Sequence, residues 1–194
     1  AEMSAAGLYL RDFKWRLRPL RLLTGKLAAS VEASPSSGFV QADIAVGPGG
    51  SIALSDVNGS LPLSDFASLA RMPGLAGEAS VRFEELRIRD GLPVAATGTL
   101  AVSGLVAPMV DPGSIGGYRA EFFTDDNGII GSVEDVNGVF DLAGSLTISA
   151  DRNYQFLGKV AATDATSEKL QRQLRFLGSP NERGQHDIRL EGQL

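Results

Sequence analysis

Alternation with period two dominates the chain, the pattern of strands with one buried face and one wet face. It is clearest where Phe140, Leu142, Gly144, Leu146 and Ile148 hold the even positions and Asp141, Ser145, Thr147 and Ser149 the odd ones. The C-terminus repeats it, with Ile188, Leu190, Gly192 and Leu194 inward and Asp187, Arg189, Glu191 and Gln193 outward. The same phase is visible in Phe13, Trp15 and Leu17, in Leu27, Ala29 and Val31, in Val40 to Val46, in Leu100 and Val102, in Tyr118, Ala120 and Phe122, and in Tyr154 to Val160. Between Val81 and Ile88 the apolar positions slip from odd to even, which predicts a bulge at Glu84 and Glu85. Asp90-Gly91, Asn127-Gly128, Asn137-Gly138 and the tip Asp151-Arg152-Asn153 separate these runs and suit tight hairpins. Connections this short exclude parallel crossovers.

Helical spacing interrupts the alternation twice. Ser64 to about Arg71 has Ser64 as a cap and Phe66, Leu69 and Ala70 apolar. Asp164 to Leu177 is stronger: Asp164 or Thr166 caps it, Leu170, Leu174 and Leu177 share a stripe, and Gly178 and Pro180 stop it. Pro19 to Leu23 suits one further turn. The pattern as a whole predicts a mainly β fold, a long antiparallel meander sheet of about ten strands bent over on itself (half-pipe or sandwich-like), with two short helices. Many inward positions are small: Ala29, Ala42, Ala96, Gly98, Ala120, Gly144, Gly158 and Ala162. Faces lined this way approach closely and leave little interior volume; the alternative is an ordinary sandwich whose large residues lie on the facing sheet.

At 194 residues the chain fits one domain, residues 1–194. Its 43% apolar and 21% charged content excludes general disorder. The absence of cysteine removes disulfides, thiolate metal sites and a thiol nucleophile. A single histidine, His186, removes multi-histidine metal sites and leaves one candidate base for a triad. No apolar run approaches the ~18 residues of a spanning helix. The formal charge of −5 gives no basic field for nucleic acid.

Motifs for chemistry are missing. Gly113-Ser114-Ile115-Gly116-Gly117 lacks the spacing of a nucleophile elbow, and His186, just before the last strand, reads as a solvent-facing strand-end residue. Asp125-Asp126-Asn127-Gly128 lacks the closing glutamate of a calcium loop and reads as a hairpin turn. Glu84-Glu85 and Glu134-Asp135 are sequence neighbours on strands, so each pair points to opposite faces. Gly47-Pro48-Gly49-Gly50 has no following lysine to hold phosphate. These readings predict no catalytic, cofactor-binding or metal residues, hence no enzyme, no cofactor and no small-molecule substrate.

Charge is uneven, however. Arg11, Lys14, Arg16, Arg18, Arg21 and Lys26 face only Asp12 in their segment, a local +5 that leaves −10 for the rest of the −5 total. Lys14, Arg16 and Arg18 share the strand face opposite Phe13, Trp15 and Leu17. That stripe is the candidate partner-binding site, for an acidic protein surface or anionic headgroups. Its alternative is a solvated face whose charges cross-pair with acids on the neighbouring strand.

A family resemblance rests on three segments. Trp15-Arg16-Leu17-Arg18-Pro19-Leu20-Arg21-Leu22-Leu23-Thr24-Gly25 and Val57-Asn58-Gly59-Ser60-Leu61-Pro62-Leu63 carry the first parts. Asn137 to Ile148, Tyr154 to Gly158 and Leu177-Gly178-Ser179-Pro180-Asn181-Glu182-Arg183-Gly184 carry the third. In this order they resemble the type II secretion system protein N (GspN) family over nearly the whole chain, with Gly138-Val139-Phe140 standing where the family has Gly-Pro-Leu. The resemblance implies a non-enzymatic periplasmic domain, tethered to the bacterial inner membrane by an N-terminal anchor that this sequence does not include. It implies an accessory role in assembling the type II secretion system through contacts with the secretin or inner-membrane platform proteins. The alternative is a periplasmic module that binds or transfers a lipid or other hydrophobic ligand within a folded-over sheet.

Overall fold

A computed structural model describes residues 3–5, 8–17, 27–35, 38–68 and 71–194, with side chains from 29–32, 38–47, 49–68 and 71–194. Among the described residues thirteen strands form one antiparallel sheet: β1 (Met3–Ala5), β2 (Leu8–Leu17), β3 (Leu27–Pro35), β4 (Phe39–Val46), β5 (Ile52–Pro62), β6 (Ala76–Arg89), β7 (Leu92–Ala107), β8 (Asp111–Ser114), β9 (Gly117–Asp125), β10 (Gly128–Val136), β11 (Phe140–Ser149), β12 (Asn153–Ala162) and β13 (His186–Gln193). Each strand pairs with the next in the chain, except that β8 pairs only the far end of β7 and β9 takes the place beside β7. The meander is therefore as expected. Its strand number exceeds ten partly because β1 and β8, of three and four residues, are too short to show a period.

Register turns the alternation into two unlike faces. One row runs Val57, Phe83, Gly98, Phe122, Gly131, Leu146, Phe156 and Leu190 across seven neighbouring pairings. The next row on that face runs Val40, Gly59, Val81, Leu100, Ala120, Val133, Gly144, Gly158 and Ile188. The opposite face carries Arg119, Glu134, Ala143, Lys159 and Asp187. The phase slip in β6 is a bulge: Phe83 faces Gly98 but Glu85 faces Thr97, so Glu84 is the extra residue against β7. A matching shift sets β5 against β4 near Asp56, whose φ is 52°. The predicted hairpins form as well. Asp90 and Gly91 both have positive φ, as a primed two-residue turn requires, and the Asp125 carboxylate accepts the Asn127 and Gly128 N–H groups at 2.8 and 3.2 Å.

The sheet is a single open layer. Among the described residues nearly all strand contacts run between neighbours along the path, with a few between β7 and β10 on either side of β9. Among the described residues the buried apolar side chains are mostly alanines, and none of any size is fully buried. The sandwich alternative is thereby set aside. The small inward residues do not bring two faces together; the described glycines among them lie beneath aromatic rings of their own face. Phe83 and Phe122 flank Gly98 in register, and their ring centroids are 5.9 Å apart over it. Phe122 also covers Gly131, Phe156 covers Gly144 and Gly158, and Tyr154 covers Gly192: a Cβ on any of these four would lie 2.5–2.9 Å from a ring carbon.

The helices are shorter than their sequence signals. Ser64 to Arg71 yields a four-residue 3-10 turn, Leu63–Phe66, whose cap position is Pro62 rather than Ser64; Leu69 and Ala70 lie outside the described residues. Asp164 to Leu177 yields α1 (Glu168–Leu174) and a 3-10 turn at Arg175–Leu177. Its cap is Ser167, which accepts the Leu170 N–H at 3.4 Å, because Thr166 is already engaged with Thr163 N and the Val139 carbonyl. Leu170 and Leu174 are buried, whereas Leu177 is 46% exposed. The turn proposed for Pro19 to Leu23 lies outside the described residues.

Gly98 is a position where backbone and packing together leave little room. Its φ is 155°, and a Cβ there would meet the Arg82 carbonyl oxygen and come within 2.5 Å of Phe83 Cα, both backbone atoms that cannot swing aside. Gly98→Ala is expected to cost about 2–4 kcal/mol, from strain and overpacking together. Urea unfolding measures it, and a midpoint equal to that of the unsubstituted chain would contradict the arrangement.

Candidate interaction surfaces

Lys14 and Arg16 lie on β2, where register places them opposite Glu32 and Ser30 of β3. Ser30 in turn faces Asp43 of β4 and donates to its carboxylate at 2.7 Å. Trp15, between them, is in register with Val31 and, one strand further, with buried Ala42. The backbone thus puts the two basic positions on the polar face, beside an acid. Arg18 and the side chains of Lys14 and Arg16 lie outside the described residues.

Elsewhere on the polar face, charges pair locally. Lys159 meets its register partner Asp187 at 2.8 Å, and Arg87 and Arg189 each meet a glutamate two residues away, Glu85 at 2.9 Å and Glu191 at 3.0 Å. All are exposed, so each adds little to stability. Arg189 holds the Glu191 carboxyl below its usual range, assisted by Gln155. In the β11–β12 turn the Ser149 hydroxyl and the Asn153 amides hold the Asp151 carboxyl below its usual range.

At one end of the sheet the hairpins converge. Asp90 in the β6–β7 turn and Arg152 in the β11–β12 turn approach to 3.9 Å, although four strand spacings, about 19 Å in a flat sheet, separate the two hairpins. The sheet must curl for them to meet. Asp90, Leu92, Gly128, Ile148, Arg152 and Leu194 line the resulting hollow of about 300 Å³. The apolar face leading to it is half-exposed at Phe83, Phe122, Leu146 and Phe156.

The other end is closed by α1 and the segment after it. His186 is buried there, 7% exposed, on the apolar face in the row of Leu142 and Val160, with Nδ1 2.8 Å from the Gly178 carbonyl oxygen. The expectation of a solvent-facing histidine is corrected: even phase along β13 puts residue 186 on the inward face. Its partner is a main-chain carbonyl, not the serine and carboxylate that a hydrolytic triad needs. Among the described residues no group of three or more histidine, aspartate or glutamate side chains is placed to hold a metal ion. No helix among them is long and apolar enough to cross a membrane.

Sequence reading missed one polar feature of the inner face. Asp135 points inward, opposite Tyr118, and accepts the Leu142 and Gly138 N–H groups at 2.9 and 3.3 Å, pinning the β10–β11 turn. Tyr118 donates to the Ile115 carbonyl at 3.2 Å. Burial first, and the Asp135 charge second, push the Tyr118 phenol above its usual range. A raised phenol is protonated in the fold when the unfolded chain already ionises, so its contribution is complete below about pH 10 and is lost as pH rises through the folded value. Tyr118→Phe should therefore be less stable at pH 8, by about 1 kcal/mol for the lost hydrogen bond, yet decline less steeply above pH 10. Denaturant midpoints across pH 8–11 check this; parallel declines would contradict it.

Comparison with known proteins matches the chain to the family described as type II secretion system (T2SS), protein N, over residues 1–189. No curated protein and no solved structure matches the chain.

Proposed function

The chain belongs to the type II secretion system protein N family and is thus a component of that bacterial envelope machinery, and from this premise we propose that it works as a non-enzymatic assembly part acting through protein contacts in the periplasm. On this reading residues 1–194 are one periplasmic unit, held at the inner membrane, whose partners are the secretin or the inner-membrane platform proteins. The observation that carries the proposal is the family match over residues 1–189, joined to a sheet whose polar face and open edge suit docking. The basic positions Lys14, Arg16 and Arg18 form the proposed contact for an acidic partner surface or anionic headgroups.

The half-exposed apolar face, leading to the hollow at Asp90 and Arg152, favours a second reading, a site for a lipid or other hydrophobic ligand. Two measurements separate the readings. Reversing the three charges (Lys14→Glu, Arg16→Glu, Arg18→Glu) should reduce pull-down of purified secretion components severalfold, and unchanged capture would remove the stripe from the account. Native mass spectrometry of the chain from cell envelopes should show protein without bound lipid; a stoichiometric lipid adduct would shift the account to the second reading.

A further inference from the structure

β13 ends the sheet. It pairs β12 over eight consecutive residues without a register shift, and among the described residues no strand pairs its other edge. Exposed edges are normally blunted by a proline, a bulge or an inward-pointing charge. β13 has no proline and no bulge, and beyond His186 its inward positions are Ile188, Leu190 and Gly192, with Leu190 57% exposed. The edge is therefore competent to accept another strand.

What it would accept is written in its own sequence. If a second copy pairs antiparallel through a two-fold axis, every residue must meet one on its own face, so the axis passes through a residue and not between two. An axis at Arg189 sets Arg189 against itself and Asp187 against Glu191; one at Glu191 sets that glutamate against itself. Both juxtapose like charges. An axis at Leu190 sets Leu190 against Leu190, Arg189 against Glu191 twice, Ile188 against Gly192 twice and Asp187 against Gln193 twice. An axis at Ile188 also pairs opposite charges, Asp187 with Arg189, but leaves Glu191 to Gln193 beyond the strand's start and without strand partners. Charge and length together select the Leu190 axis, which also covers the exposed leucine.

We propose that β13 is a self-docking edge, joining two copies of this chain into one continuous sheet about a two-fold axis at Leu190. This dimer does not rest on the secretion reading, since it follows from residues 186–193 alone.

The cysteine-free chain permits a direct test. Single variants Leu190→Cys, Ile188→Cys and Gly192→Cys are oxidised mildly and run without reductant. Only Leu190→Cys meets its own copy, so it should cross-link at least about tenfold faster than the other two, whose copies are displaced by four residues across the axis. Sedimentation equilibrium then reads the charges: Arg189→Glu should weaken association by about tenfold or more, and Arg189→Glu with Glu191→Arg should restore it. Unfolding curves confirm that each variant is folded. Fastest cross-linking at Ile188→Cys, equal rates at all three positions, or a chain that stays monomeric up to about 1 mM would overturn the proposal and leave the edge to a different partner.

Discussion

A sheet one layer thick must shelter its apolar side chains without a second layer to cover them. In this protein the solution is lateral: large rings lie down over glycines of the adjoining strand or, for Phe156 and Gly158, of their own. Phe83 and Phe122 meet above Gly98, Phe122 reaches Gly131, and Phe156 spreads over Gly144 and Gly158. A glycine in a strand ordinarily weakens it. Beneath a ring it becomes the space the ring occupies, and the Phe83–Phe122 contact adds about 0.5–1.5 kcal/mol beyond area. Much of the tertiary packing is thus between next-door strands, in keeping with a meander of short hairpins.

That economy of packing shapes the surfaces. Because the rings are only half covered, the apolar face remains a long lining, bounded at one end by α1 through its buried Leu170 and Leu174 and at the other by the Asp90–Arg152 contact. The polar face is left with small side chains and locally paired charges, and the sheet terminates in a regular strand. A protein built this way offers faces and edges, in keeping with membership of a family of secretion-machine components. His186, the lone candidate base, is buried and fixed to Gly178.

Period two was legible in most of the longer strands but not in β5, where the shift near Asp56 breaks the phase, nor in β10, where outward Ile130 and inward Asp135 blur it; the bulge expected at Glu84 and Glu85 followed from the slip between Phe83 and Leu86. Three features were not legible, each for a physical reason. Short strands such as β8, with Pro112 and Gly113 inside it, look like loop because four residues cannot display a period. The cap of α1 went to Ser167, since tertiary hydrogen bonds to Val139 had already taken Thr166. Small inward residues say that something large comes close but not where it comes from; register revealed that it comes from the neighbouring strand.

The central claim is a single layer with one apolar and one polar face, and cysteine scanning along β11 tests it most directly. Ten single-cysteine variants from 140 to 149, each carrying a polarity-sensitive fluorophore, should report blue-shifted emission at even positions and water-like emission at odd ones. Emission that is blue-shifted at both parities would mean that a second layer covers the polar face, and emission without a two-residue period would contradict the sheet itself.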